Sequence, residues 1–323
     1  MVQNLLGARN SNCHNATKGC RRLLPLRGEQ GRRGIGGPGR FHTMDSHVFA
    51  VVLVAAALHA GWNALLKLRV EPRIATTLLG IASGMVAAPI CFFVPLPEPI
   101  AWWFIGASAI IHLVYFQALG MAYETGDLGQ VYPLARGSAP LLTGLGMSIV
   151  GEPIGFVGWL GIGLLAVGVL ALSLKGGRVS THIEVRAVGF ALLTALTIGA
   201  YTIVDGLGAR SAGHVGAYVG WSFVTSAVVL IAYGYHRWRG GLVAAFRGSA
   251  WQLMLGGCMS VGAYGIALWA MTKAPIAIVG AMRETSVLVA AIIGVVVLGE
   301  PLLKLRILAG ALVLAGVVML RLA

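Results

Sequence analysis

Laid over itself with a shift of 148 positions, the chain matches without a gap for about seventy residues: Trp103 falls on Trp251, Val131 on Val279, Ser138 on Ser286, Gly146 on Gly294, Gly168 on Gly316 and Leu172 on Leu320. A Gly-Glu-Pro corner, Gly151-Glu152-Pro153, returns as Gly299-Glu300-Pro301 in the same register. An ungapped match of that length predicts an internal duplication, so the fold must be built from two copies of one unit.

What each copy is made of follows from its polarity. The sequence is 57% hydrophobic and 11% charged, with a mean hydropathy of +0.83. From residue 47 onward polar breaks recur about every 22 to 28 positions, close to the roughly 20 apolar residues a helix needs to cross a bilayer. Ten spans fit, near 47–66, 74–95, 100–122, 128–150, 154–174, 187–206, 213–235, 249–271, 275–298 and 302–321. The period-two alternation of barrel strands is absent, which leaves helices to satisfy the backbone in lipid. The expected fold class is therefore all-α: ten transmembrane helices as two five-helix repeats, 45–174 and 184–321. Because five is odd, fused copies enter the bilayer with opposite orientation.

Loop charge carries the same message. The loops after spans 1, 5, 7 and 9 hold eleven cations: Lys67, Arg69, Arg73, Lys175, Arg178, Arg186, Arg237, Arg239, Arg247, Lys304 and Arg306. The opposite side holds only Arg210, Lys273 and Arg321. Cationic loops stay cytoplasmic, so both ends of the helical body are expected outside. Residues 1–43 disagree, with eight basic side chains against Glu29. Their Gly, Arg and Asn content predicts disorder, and Met44 is the expected natural start. Cys13 and Cys20 lie in this tail, and Cys91 and Cys258 inside predicted spans, so neither a disulfide framework nor a metal site is expected.

Polar residues inside the spans are the candidate functional residues, because lipid does not tolerate them without a partner or water. Span 1 places His59 and Asn63 four apart with Trp62 beside them, and span 6 places Tyr201 and Asp205 four apart, each pair on one helical face. Asp205 has a second reading, as a hydrated group at the outer interface. His112, Tyr115 and Gln117 in span 3 read as structural groups more readily than as ligands. Span 2 reads as a packing element, span 7 is rich in Ser, Thr, Val and Tyr around Trp221 with no ionisable group in its interior after His214, and spans 5 and 10 read as Gly-rich scaffold.

Spans 4 and 9 say most. Arg136 lies about 13 Å into its span at 1.5 Å per residue, near mid-membrane. The duplication places Glu284 at the equivalent position, preceded by Arg283. An ion pair bridging the two halves is the plainer expectation, and a substrate or proton site the sharper one. Pro133 and Pro140 flank Arg136 and free backbone carbonyls to line a cavity.

Taken together, HAGWNALLK at 59–67, GDLGQVYPLARGSAP at 126–140, YTIVDGLGAR at 201–210 and MRETSVLVA at 282–290, with the two Gly-Glu-Pro corners, resemble the EamA family of the drug/metabolite transporter superfamily. The resemblance covers roughly 45–321. It implies a central cavity between the repeats, formed largely by helices 1, 3, 4, 6, 8 and 9, with helices 5 and 10 packed outside. Substrate-binding positions would be His59, Trp62, Asn63, Tyr132, Arg136, Tyr201, Trp269 and Arg283, with Glu284 and Asp205 as a coupling site or ion pair. Many relatives keep their termini in the cytoplasm; the loop charges of this chain point the other way.

The expected activity is secondary transport, as an exporter of a small metabolite or drug-like molecule across the inner membrane, with proton coupling through Glu284 or Asp205. No P-loop is present, so no nucleotide is expected to drive it. A lipid or lipid-linked sugar flippase would use the same fold. An intramembrane enzyme is the other class, but there is no GxSxG elbow, no metal-spaced histidine set and no catalytic carboxylate cluster. No cofactor or nucleic acid is expected. The expected partners are the bilayer and the small substrate, with the protein a monomer or homodimer.

Overall fold

The computed structural model describes residues 44–65, 71–126, 128–172, 184–239, 241–296 and 304–323, all within one compact unit, Phe41–Ala323. The basic tail, loop cations Lys67, Arg69, Lys175 and Arg178, and the second corner, Gly299-Glu300-Pro301, lie outside the described residues. Every described element is a helix: α1 (Ser46–Leu65), α2 (Pro72–Ala87), α3 (Ile90–Phe93), α4 (Ala101–Thr125), α5 (Leu128–Val150), α6 (Phe156–Leu172), α7 (Val185–Ser211), α8 (Val215–Trp238), α9 (Gly241–Gly248), α10 (Ala250–Met271), α11 (Ile276–Arg283), α12 (Ser286–Val296) and α13 (Lys304–Leu322).

Among the described residues, seven helical stretches are long and apolar enough to cross a membrane: those over spans 1, 2, 3, 6, 7, 8 and 10. The three remaining expected spans depart for identifiable reasons. Span 5 is the apolar 17-residue α6. Span 4 is α5, whose apolar character is diluted by Arg136 and by Pro133 and Pro140 inside the helix; Pro140 lacks the N–H that the carbonyl of Arg136 would otherwise accept. Span 9 is two helices, α11 and α12, divided at Glu284 and Thr285.

That division is a tightened turn rather than an open gap. Glu284 N–H donates to Ala281 O (3.0 Å), Thr285 N–H to Met282 O (3.1 Å), Val287 N–H to Glu284 O (3.0 Å) and Leu288 N–H to Thr285 O (2.9 Å). The i to i−3 spacing is that of a 3₁₀ turn, which inside a helix often marks a hinge. Span 2 is interrupted in the same way at Pro89, between α2 and α3.

The principal helix contacts are reciprocal when the two halves are exchanged, with α1 matched to α7, α2 to α8, α4 to α10, α5 to α11–α12 and α6 to α13. α1 packs on α10 as α7 packs on α4, α1 packs on α11 and α12 as α7 packs on α5, and α2 packs on α10 as α8 packs on α4. The self-matched pairs, α6 with α13 and α2 with α8, also touch. A two-fold relation between like units gives this reciprocity.

Glycines reveal the direction of each crossing. In α6, Gly161 lies against Gly316 and Leu320, whereas Gly168, seven residues later, lies against Ala309 and Val313, earlier in α13. The two helices therefore run antiparallel. So do α2 and α8, where Gly80 meets Leu230 and Gly84 meets Ala227 and Phe223. α5 and α7 run parallel, with Leu142 beside Gly199 and Ile203 beside Gly146.

The α6–α13 crossing depends on missing side chains. A Cβ at Gly316 would lie 2.8 Å from the Gly161 carbonyl oxygen, and one at Gly161 3.0 Å from the Gly316 carbonyl oxygen. Backbone does not yield as a flexible side chain does, so Gly316→Ala is expected to destabilise by about 1–3 kcal/mol. Gly163→Ala, whose Cβ would meet nothing within 4 Å, should leave the unfolding midpoint in detergent unchanged. Equal midpoints for the two variants would contradict this packing.

Exposed aromatics stand at both ends of the bundle: Phe92, Phe93, Trp103 and Phe156 at one, Tyr235 and Trp251 at the other. Such rings collect at membrane interfaces. Near the second end, Arg73 bridges Glu71 (3.2 Å) and Glu124 (2.8 Å), tying α2 to α4.

Candidate functional site

Two constellations of buried polar groups occupy the centre of the bundle. In the first, Arg136 of α5 and Glu284, at the α11–α12 turn, form an ion pair of 3.0 Å, with side chains 4% and 3% exposed. Positions 136 and 284 are equivalent under the 148-residue register, so the pair sits where the two halves meet on their relating axis. Arg136 also donates to Ser286 Oγ (3.2 Å) and contacts His59 Nε2. The Trp62 indole N–H donates to His59 Nδ1 (3.2 Å). A charge at this depth persists only with such partners.

The second constellation is aromatic. His112 stacks on Tyr201 with ring centroids 4.5 Å apart and planes at 22°, and Tyr115 and Tyr264 meet Tyr201 edge-on at 5.4 and 5.9 Å. His112 is fixed by contacts of its Nδ1 with Ser108 at 3.0 Å. The Arg283 guanidinium lies 4.8 Å from the Tyr264 ring centroid, in cation–π geometry, and lines the same cavity as Tyr201. Behind Tyr264, Asp205 is fully buried and accepts from the hydroxyls of Tyr218 (2.8 Å) and Tyr264.

Between these constellations lies a cavity with about 60 Å³ open to water-sized molecules, enough for several waters. His59 and Trp62 come from α1, Leu79 and Gly80 from α2, His112, Tyr115 and Phe116 from α4, and Tyr201 from α7. Ser222, Phe223 and Ser226 come from α8, Ser260 and Tyr264 from α10, and Arg283 from α11. The wall therefore combines aromatic faces, three serine hydroxyls and one guanidinium. Among the described residues no carboxylate lies within ion-pair distance of Arg283, which is 6% exposed.

Of the residues singled out from sequence, His59, Trp62, Tyr201 and Arg283 line the cavity. Arg136 stands one contact behind it, through His59, and Glu284 one further, through Arg136. Asn63 does not line it: its amide donates to the backbone carbonyl of His59 (2.8 Å), a bond within its own helix. Trp269 packs edge-on against His47, 6.4 Å between centroids, away from the wall. Tyr132 lies in α5, but its side chain falls outside the described residues.

Asp205 is not a hydrated interface group, because two tyrosine hydroxyls take the place of water. Span 2, expected as a packing element, span 7, expected to hold no interior ionisable group, and His112 and Tyr115, expected as structural groups, all contribute to the wall, and among the described residues α5 reaches it through the Arg136–His59 contact. Among the described residues, no lining residue comes from α6 or α13. Tyr264, Ser222, Ser226 and Ser260 carried no distinguishing sequence signal. Among the described residues no group of three or more His, Cys, Asp or Glu is placed to hold a metal.

Comparison with known proteins bears on this arrangement. Residues 185–322 match the model of the EamA-like transporter family. No curated protein matches the chain. Twenty-nine solved chains resemble it. One, whose description reads "Crystal structure of protein", superposes with a TM-score of 0.63 at 19% identity, covering 85% of this chain and 96% of its own. At that identity the likeness concerns the fold.

Proposed function

We propose, because residues 185–322 match the model of the EamA-like transporter family, that the cavity of this chain is the substrate site of a secondary transporter. The substrate is a small organic anion carrying an apolar or aromatic body. The transporter exports it across the inner membrane by alternating access. The observation that carries this reading is Arg283, a buried cation in the cavity wall with no acidic partner among the described residues. A buried cation with no acid at ion-pair distance is stabilised when an anion joins it. The Tyr201, Tyr264 and Trp62 faces suit a ring, and the serines suit polar substituents.

The two halves act in this proposal as inverted five-helix repeats with ten spans. The antiparallel crossings of the matched pairs α6–α13 and α2–α8 support inversion, and the reciprocal helix contacts support the duplication. Two packings of one unit in nearly equivalent surroundings give two states of similar energy, which rocking one repeat against the other interconverts. The Arg136–Glu284 pair maps onto itself under exchange of the repeats, so it is the fulcrum. Glu284, at the hinge of span 9, is the residue whose protonation would couple transport to a proton gradient.

Counterflow in proteoliposomes tests the proposal with a panel of aromatic and aliphatic carboxylates, their amides and matched amines. The expected result is saturable exchange of carboxylates with little of amides or amines. Exchange of amines alone, or movement of labelled lipid instead of soluble solute, would overturn it. Loss of pH-gradient dependence would remove the coupling and leave facilitated transport. A reporter fused to Ala323 is expected on the non-cytoplasmic face of the membrane.

A further inference from the structure

The Gly-Glu-Pro corner between α5 and α6 has no part in the cavity, yet its acid is committed to specific partners in the other half. Glu152 Oε1 pairs with Arg210 Nη2 at 3.1 Å, and Glu152 Oε2 accepts the backbone N–H of Ile276 at 3.2 Å. Ile276 is the first residue of α11, which has no capping side chain of its own from Pro275. An acidic side chain there satisfies an orphan donor and complements the helix dipole. Arg210, at the end of α7, completes the cluster: its Nε donates to Met271 O (2.8 Å) and its Nη2 to Ala274 O (3.0 Å), where α10 turns into α11.

These contacts join the ends of α7 and α10, the start of α11 and the α5–α6 corner. The three helices are cavity helices. Tyr201 lies nine residues before Arg210, Tyr264 seven before Met271, and Arg283 seven after Ile276, so the cluster stands about 10–14 Å from the wall along each of them. It belongs to the end of the bundle that also holds the start of α1 and the end of α13, where Met44 N–H donates to Arg321 O (3.1 Å). The Glu152 and Arg210 side chains are 27% and 33% exposed, the class of ion pair that forms and breaks readily.

We infer that Glu152 and Arg210 form a releasable latch that closes this mouth of the cavity, and that Glu152, through α11, is a positioning residue for Arg283. The inference rests on the transporter reading of the cavity. Opening the mouth requires α11 to part from the α5–α6 corner, which breaks the Glu152 contacts to Ile276 N–H and to Arg210 together. Both couple to the cavity through one short helix, hinged at Glu284.

The test is side-specific labelling. In a background with the four native cysteines replaced, Ser260→Cys places a thiol in the cavity wall, and a membrane-impermeant maleimide is applied to oriented vesicles from either face. Glu152→Gln is expected to raise labelling from the latch face by about tenfold, the shift in open population that loss of a weak closing contact produces. Labelling from the opposite face should fall. Arg210→Lys retains the charge but cannot span Met271 O, Ala274 O and Glu152 at once. It is expected to act in the same direction, and it substitutes for Glu152→Gln should that variant fail to insert. Labelling that is unchanged, or that rises equally from both faces, would overturn the latch. Absence of solute counterflow by the wild-type protein, with the labelling shift present, would instead overturn the transport reading and leave the latch standing.

Discussion

Arg136→Met is expected to lower the stability of the folded protein by about 3–5 kcal/mol, because it leaves the carboxylate of Glu284 buried without its counter-charge. The cost should be largely recovered by removing both charges, as Arg136→Met with Glu284→Met, since a buried ion pair and a well-packed apolar pair of similar volume are often close in free energy. Exchange of the two charges, Arg136→Glu with Glu284→Arg, should also recover most of it, because the positions are equivalent in the two halves. Thermal unfolding in detergent, read as a double-mutant cycle, checks this. Additive losses would mean that the two groups are stabilised separately. Transport should separate from stability in this series: the double methionine variant should fold and yet lose dependence on a proton gradient, for want of Glu284.

The second large effect concerns Arg283. Arg283→Gln is expected to reduce apparent affinity for carboxylate substrates by roughly 30- to 1,000-fold, the equivalent of about 2–4 kcal/mol for a desolvated charge contact. It stacks on the Tyr264 face and forms no ion pair within the distance limit among the described residues, so the fold should survive. Arg283→Lys should retain part of the affinity, keeping the charge but losing the planar fork and its stacking on Tyr264. Equal loss for carboxylates and their neutral amides would show that Arg283 shapes the cavity without reading charge.

The sequence revealed the scaffold more completely than the site, and the difference has a physical origin. Apolar runs near 20 residues report helices because the bilayer imposes that length, and a gapless register reports equivalence. These two facts alone placed Arg136 and Glu284 opposite one another. Asp205 was harder to read, since its partners, Tyr218 and Tyr264, lie on other helices, 13 and 59 residues further along the chain. Seen from sequence, Asp205 stood near a helix end beside Gly206 and Gly208 and looked accessible.

In span 8 the candidate named from sequence, Trp269, is not the ring that lines the cavity, which is Tyr264. Five residues turn a helix by about 140° beyond a full revolution, so the two cannot share a face, whereas Ser260, four residues before Tyr264, does share it. The serines of α8 carry no charge and mimic the small residues that pack helices closely. Only the neighbouring helices show that Ser222 and Ser226 face open space. The turn dividing α11 from α12 falls on the polar stretch Arg283-Glu284-Thr285-Ser286 inside a span that reads as one helix by length, and no Pro or Gly stands at the break.

Whether the cavity is the path of the substrate can be asked with one thiol. Ser226→Cys, in a background lacking the native cysteines, puts a reactive group in the wall beside Phe223, and a maleimide can be added before carboxylate counterflow is measured in proteoliposomes. Passage through this cavity predicts that alkylation abolishes counterflow and that saturating carboxylate slows alkylation. Complete alkylation with undiminished counterflow would place the route elsewhere and contradict the assignment.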